Sequence, residues 1–313
     1  MATVLNVLLP GRDKLSFVDA FNQWLARGTA LPTALPGYMH AVAEFFRWPD
    51  GPLPAAALIR QSVAGDAGTA LWVCADPAWV QPELSGARLL GCGNLAVSPA
   101  DAASMVDALS DTFAEEGMTL LVGDPQHWQL KVPNYVQVPT FPEPEEALGA
   151  DLFEQLPKGE HGRRWRALLN EAQVVLHNHP ANANRAYNSL PPINSVWLWG
   201  AGTLPEWVEC GQSRIYSDDL LIWALGHKAG VDVQPRAPLA GARSRAIPAT
   251  GEAGHAELLD LQDVQPSEFD RDWWPYLEAR LESGTELRLA FADGRRIVLK
   301  KAHRMRFWRK SKA

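Results

Sequence analysis

The chain has 313 residues, 47% of them apolar and 21% charged, with a formal net charge of −7. These are globular values, which exclude wholesale disorder, and the length suits one large domain or two ordinary ones. Three widely spaced cysteines, Cys74, Cys92 and Cys210, form no C-x-x-C pair, which argues against a disulfide framework or a thiolate zinc site. The opening apolar run is short and has no basic residues before it, so no secretory signal is expected. No stretch has the ~18 uninterrupted apolar residues of a membrane span. The expectation is a cytoplasmic protein without a membrane partner.

In chain order, Thr3–Leu9 is an almost continuous apolar run, expected as a buried strand closed by Pro10-Gly11. Ser16 is placed to cap a helix carrying Phe17, Phe21, Trp24 and Leu25 on one face. Further helices are expected over Tyr38–Trp48 and from Pro54 to Arg60, with Pro54 at a first helical position. Ala70–Cys74 is a strand candidate that should stop at Ala75-Asp76-Pro77, and Ala87–Leu90 is a shorter one. Ser98-Pro99 starts a helix whose stripe is Met105, Val106, Leu109 and Phe113, and Gly117 ends it. Leu120–Val122 and Trp128–Val132 should pair as a hairpin around Gly123-Asp124-Pro125.

Between Val132 and Ala150 the composition turns to Pro133, Pro139, Pro142 and Pro144 with Glu143, Glu145 and Glu146. Proline removes ladder donors, so 136–150 is expected to link an N-terminal half, 1–135, to a C-terminal half, 151–313. The second half opens with a helix over 162–178, in which Trp165, Leu168, Leu169, Ala172, Val175 and Leu176 share a face. Arg163, Arg164 and Arg166 lie near its start, against the helix dipole, as solvated charges or as partners of an anion. A polar loop is expected from His179, then an apolar strand at Val196–Trp199. Ser217 should cap a helix over Asp218–Lys228, and residues 234–256 look like a loop. Leu258–Leu261 is a strand candidate and Asp270–Leu281 a helix. Asp293-Gly294 should turn a final hairpin between Leu287–Phe291 and Ile297–Lys301. Strands alternate with helices in both halves, so the fold class is α/β, with mixed α+β as its variant and mixed sheets covered by helices.

His177 to Gly202 is the most crowded polar stretch. His177-x-His179 offers two imidazoles, but spacing of i, i+2 points them to different sides of a helix, and no carboxylate or cysteine is near. His179, Asn182, Arg185, Asn188 and Asn194 form a candidate set for a carboxylate or phosphate, through amide and guanidinium donors. The same amides are equally suited to satisfying the backbone of an irregular segment. Gly200-x-Gly202 is followed by Pro205 where a dinucleotide loop needs glycine, and neither a nucleophile elbow nor a Walker A sequence occurs. No catalytic residue, metal ligand set or cofactor is assigned from the residues. After Asp293 the chain holds nine basic residues and no acidic one. Arg304, Arg306, Trp308 and Arg309 are therefore candidate contacts for an acidic partner or a nucleic acid, against the plainer reading of a solvated terminus.

H-P-A-N-A-N-R at 179–185 and N-S-V-W-L-W-G-A-G at 194–202 resemble the RpfE-type regulatory protein family of proteobacteria. Cys74-Ala75-Asp76-Pro77, His127-Trp128 and Arg306-Phe307-Trp308-Arg309 add to that resemblance. The first two segments are also similar to part of the cofactor-independent phosphoglycerate mutases, of the alkaline-phosphatase-like superfamily. What that second resemblance implies is a scaffold that holds two metals with Asp and His and uses a Ser or Thr nucleophile. This chain departs from it: Pro10-Gly11 follows the first strand where Asp-Gly is expected, and Leu289–Gly294 contains no histidine. Glu252-Ala253-Gly254-His255 matches a metal-binding A-G-H piece without its partners. Three expectations follow. The first is a non-catalytic regulatory or binding protein on a degenerate alkaline-phosphatase-like scaffold. Its Asn182/Arg185 loop would take a small anionic ligand or a protein partner, and the RpfE-type resemblance implies a part in extracellular enzyme or virulence-factor production. The second is a metal-dependent phosphoglycerate mutase or phosphatase with ligands from His177, His179, His255 and scattered aspartates. The third is nucleic-acid binding through the basic C-terminus.

Overall fold

The computed structural model describes residues 3–14, 19–84, 86–236 and 256–306. The strands, in chain order, begin with β1 (Val4–Leu9), β2 (Thr29–Ala30), β3 (Phe46–Arg47), β4 (Leu71–Glu83) and β5 (Gly86–Cys92). They continue with β6 (Thr119–Asp124), β7 (His127–Val132), β8 (Ser195–Gly202), β9 (Glu209–Cys210) and β10 (Arg214–Tyr216). The last are β11 (Asp232–Gln234), β12 (Ala256–Asp260), β13 (Glu286–Phe291) and β14 (Arg296–Leu299). Helices lie between them, so the class is α/β with mixed sheets. No helix among the described residues is long and apolar enough to cross a membrane.

The chain forms two compact units, one of residues 1–48 with 207–313 and the other of 49–206. This differs from a division at 136–150, which lies inside the second unit. The composition of that segment reads as a linker, yet buried indoles pin it down. Trp165 Nε1 donates to Gln137 O at 3.0 Å, and Trp197 Nε1 donates to Pro142 O at 3.0 Å. Phe141 packs edge-on against both rings. Burying an indole N–H without an acceptor is costly, so those carbonyls hold the proline-rich segment in place.

The first unit is built on a seven-stranded sheet of order β11-β10-β12-β1-β13-β14-β2. The run from β11 to β13 is parallel, and β14 and β2 add antiparallel strands at one edge. β1 lies between β12 and β13, which explains its apolar sequence. Leu5, Val7 and Leu9 join Leu287, Leu289 and Phe291 in a core closed by Phe21, Phe269, Trp273, Trp274 and Leu277. The helix expected over Asp270–Leu281 begins with a wide π-type turn over Phe269–Trp273 and then runs Trp274–Glu282. The expected final hairpin is present, with Gly294 at φ +89° in its turn. The Ser16 cap and most of the expected 234–256 loop lie outside the described residues. The expected Ser217 cap is instead supplied by Asp219, whose Oδ1 accepts from Ile222 N at 2.9 Å, and the helix runs Leu220–Lys228.

In the second unit β4 is the organising strand, with β7 and then β5 on one side and β8 on the other, all antiparallel. It does not stop at Pro77. On that side β7 pairs as far as Cys74 and β5 takes over at Ala78. Pro77 O accepts from Gly93 N in the gap between them, and a residue's N–H and C=O share one side of a strand. The missing proline N–H therefore falls where no strand needs it. β8 pairs only with β4 among the described strands, yet Ser195–Trp199 are all buried. At its far end Gly200 sits at φ +61°, with Ala55 so close that an added Cβ would stand 2.7 Å from that methyl group. The helix expected at 162–178 spans Gly159–His177. The polar loop expected after it is largely a second short helix, Ala181–Tyr187, entered through Pro180.

Candidate functional site

The crowded stretch resolves into braces. His177 ends its helix, while His179 accepts from Ala181 N at 3.3 Å through Nδ1 and meets Ser104 Oγ at 3.2 Å through Nε2. Asn182 Nδ2 donates to Leu176 O and Ile193 O at 2.8 and 2.9 Å, and its Oδ1 accepts from Ile193 N at 2.9 Å. Arg185 is only 2% exposed; its guanidinium donates to Pro191 O, Ala96 O and Leu95 O. Asn194 faces Val80 as a strand residue would, accepting from its N–H and donating to its C=O, both at 2.8 Å. Asn188 reaches only Asn184 O at 2.9 Å, on the surface. Of the two readings held open for these side chains, the geometry favours backbone support. Of the three arginines near the preceding helix start, Arg164 pairs with Glu116 and Arg166 donates to Pro157 O.

Three sequence stretches come together at a residue that composition alone does not single out. Asp76, 1% exposed on β4, accepts from Trp199 Nε1 at 2.7 Å and contacts His127 Nδ1 at 3.2 Å. Gly93, at φ +66°, passes so close that a Cβ there would lie 3.4 Å from His127 Cε1 and 3.6 Å from Asp76 Oδ2. Cys74 and Cys92 are near enough for the carboxylate to act on them. Burial first, and Asp76 second, pushes both thiols well above the ordinary range, so neither is a ready thiolate. The sequence signal was present in Cys74-Ala75-Asp76-Pro77, His127-Trp128 and Trp197-Leu198-Trp199, but their convergence required the antiparallel register of β4, β7 and β8.

The second polar concentration lies just beyond the carboxyl ends of the parallel strands in the first unit, where open α/β sheets present ligand sites. After β10 come Ser217, Asp218 and Asp219, after β11 comes Arg236, and around the end of β12 stand Asp260 and Asp263. Arg236 organises them. Its N–H and Nε reach the two Asp218 oxygens at 3.0 and 2.8 Å, and Nη1 and Nη2 reach the two Asp263 oxygens at 2.5 and 2.8 Å. Nη1 also donates to Asp260 O at 3.1 Å. Burial alone would weaken the guanidinium's charge, but Asp263 and Asp218 outweigh it and hold the pKa above its usual value. Asp260 accepts from Ser217 Oγ at 2.8 Å and from Gln262 N at 3.1 Å. Burial, with Asp219 nearby, lifts its pKa to about 7. Sequence reading missed this group because its members come from three strand ends, the outer two 43 residues apart at Ser217 and Asp260.

A two-metal centre needs carboxylate or imidazole ligands free to bridge both ions. Here Asp218 and Asp263 are engaged by Arg236 through both oxygens, and Asp260 by Ser217 and Gln262. Among the described residues, no group of three or more His, Cys, Asp or Glu is placed to hold a metal ion. His255 lies outside the described residues. The described residues therefore do not fit such a centre. Of the basic C-terminal candidates, Arg304 Nη1 meets Glu282 at 3.1 Å, and Arg306 donates to Arg27 O and Thr29 Oγ1 at 3.2 and 3.1 Å. Trp308 and Arg309 lie outside the described residues.

No protein-family model matches the chain. Over 95 residues, 29% of this chain, it is 36% identical to a probable 2,3-bisphosphoglycerate-independent phosphoglycerate mutase of Geobacter sulfurreducens. Over the same length it is 34% identical to the corresponding mutase of Methanosarcina acetivorans and 30% identical to that of Methanosarcina barkeri. The match spans 24% of the length of each of these curated relatives. Among solved structures, the chain is similar to a cofactor-independent phosphoglycerate mutase from Thermoplasma acidophilum. That match has a TM-score of 0.40 and 16% identity, covering 96% of this chain and 90% of the other. A protein from Pyrococcus horikoshii aligns with a TM-score of 0.45 and 12% identity, covering 96% and 87%. The local resemblance to phosphoglycerate mutases is thus carried by sequence over 95 residues.

Proposed function

We propose that this protein is a phosphoglycerate-mutase-like protein that recognises a small phosphorylated acid without a two-metal phosphotransfer centre. The kinship rests on the mutase matches. The second half of the reading rests on one observation: Arg236 already supplies the cation for the carboxylates at the sheet edge. A divalent ion entering there would have to displace a buried guanidinium from two carboxylates that it already holds through both oxygens. The test is metal content by mass spectrometry, together with interconversion of 3- and 2-phosphoglycerate in the presence of Mg²⁺, Mn²⁺ or Co²⁺. The reading expects no stoichiometric ion and no turnover. Metal-dependent turnover would overturn it.

A second reading, favoured by the names of the curated relatives, is a metal-dependent phosphoglycerate mutase or phosphatase. It requires ligands from outside the described residues, such as His255. The regulatory role implied by the RpfE-type resemblance has weaker support, since none of the relatives reported above bears that name. Chromosomal deletion followed by a secreted-enzyme assay addresses it, and unchanged secretion would dismiss it.

A further inference from the structure

The sheet-edge group around Arg236 combines four carboxylates with one guanidinium and does not favour an anion. Positive charge is concentrated elsewhere in the same unit, at the antiparallel corner of the sheet. A cleft of about 550 Å³ opens there, lined by Thr29, Glu286, Arg288, Lys300, His303 and Arg306 among others. This volume lies within the ~300–1,000 Å³ range of small-molecule sites.

The register explains the lining. Arg288 on β13 faces Val298 on β14, and Val298 in turn faces Thr29 on β2, so the three form one row across the strands. Glu286 and Lys300 stand two residues along from Arg288 and Val298, on the same face by strand alternation. The turn Lys301–Met305 brings His303 and Arg306 against this row. His303 Nδ1 accepts from Lys300 N at 3.3 Å, and Arg306 Nη1 donates to Thr29 Oγ1 at 3.1 Å.

Three permanent cations thus face one carboxylate. Glu286 lies between Arg288 Nε at 2.8 Å and Lys300 Nζ at 2.9 Å. Burial works against its charge, but Lys300 and Arg288 keep its pKa below the usual range, so it stays ionised. It therefore separates two cations by about the width of one bridging carboxylate. Both cationic side chains remain 54% exposed, which leaves them accessible to a ligand. At the cleft's border Lys301 Nζ donates to Glu282 O at 2.6 Å and Arg304 Nη1 to Glu282 Oε2 at 3.1 Å. A polymeric anion would need a continued track of cations, whereas a small anion needs only this cluster.

We propose that this cleft binds a small phosphorylated carboxylic acid, with Arg288, Lys300 and Arg306 as the partners of its phosphate and carboxylate groups. The choice of ligand class rests on the mutase-like reading above; the cleft itself stands on charge and geometry. Arg288 and Arg306 present planar, multi-donor guanidinium groups suited to two-point contact, and Lys300 adds a compact point charge.

The test is calorimetric titration of the full chain with 3-phosphoglycerate, inorganic phosphate, glycerol and a single-stranded oligonucleotide. The expected order is 3-phosphoglycerate tighter than phosphate, with no binding of glycerol. Arg288→Ala combined with Lys300→Ala removes two half-exposed side chains and should weaken 3-phosphoglycerate at least ~10-fold. Glu286→Gln removes the internal competitor and should tighten it several-fold. A merely structural Glu286 would leave affinity unchanged or lower it. Unchanged affinity in the double variant, binding of the oligonucleotide but not 3-phosphoglycerate, or binding of no probe would each overturn the proposal. Turnover of 3-phosphoglycerate by the wild type would refute the metal-free reading while leaving the double-variant test of the cleft intact. Unchanged affinity in that variant would do the reverse.

Discussion

Arg185→Ala separates a brace from a binding residue. The guanidinium is buried and donates to three carbonyls, Pro191 O at 2.9 Å, Ala96 O at 3.3 Å, and Leu95 O. Two of those acceptors precede the helix Pro99–Ala114 and the third precedes β8, so the side chain ties together segments about 90 residues apart in sequence. A hydrogen bond from a charged donor contributes roughly 1.5–3 kcal/mol, and the 3.3 Å contact belongs at or below the low end. The truncation should therefore cost about 3–6 kcal/mol, a large fraction of the ~5–15 kcal/mol that stabilises a typical domain. With about 2–4 °C lost per kcal/mol at this size, the melting temperature should fall by roughly 6–24 °C. Arg185→Lys should recover only part of the loss, because an ammonium group cannot reproduce the fork geometry. Circular dichroism melts and urea titrations check both variants. If Arg185→Ala melted within about 2 °C of the wild type while abolishing a ligand-dependent shift, the brace would be refuted and an anion site restored.

Asn194→Ala should cost about 1–3 kcal/mol by urea titration, because it leaves both polar groups of Val80 without their side-chain partner. Asp76→Ala should cost a similar amount or more and shift the tryptophan emission, since Trp199 Nε1 loses its acceptor at 2.7 Å and His127 loses its carboxylate. Asp260 gives a pH signature. Its folded pKa of about 7 lies above the unfolded value of 3.8, so the folded state holds the proton more tightly. Stability should therefore fall as pH rises from about 4 to 7 and then level off, by up to about 4 kcal/mol from this group. The urea midpoint of Asp260→Asn, compared with the wild type at pH 5 and pH 8, checks this; equal pH slopes would contradict it.

Most of the elements could be read from the sequence, because their causes are local. The Ser98-Pro99 cap, the Asp293-Gly294 turn and the apolar run of β1 each act within a few residues. The polar organisation could not be read in the same way. The Asn182, Arg185 and Asn194 side chains carry the donor chemistry of an anion site, and their use on the backbone depends on carbonyls as far away as Leu95 and Val80. The 136–150 segment has a linker's composition, but Trp165 and Trp197 need its carbonyls. The Arg236 group joins the ends of three strands whose neighbour order no local pattern encodes.

On the metal-free reading proposed above, Arg236 stands where cations would otherwise be required. Equilibrium dialysis of the full chain against Mn²⁺, with the bound metal measured by mass spectrometry, tests it most directly. The wild-type protein is expected to carry no stoichiometric Mn²⁺. Two tightly bound ions per chain would contradict that reading.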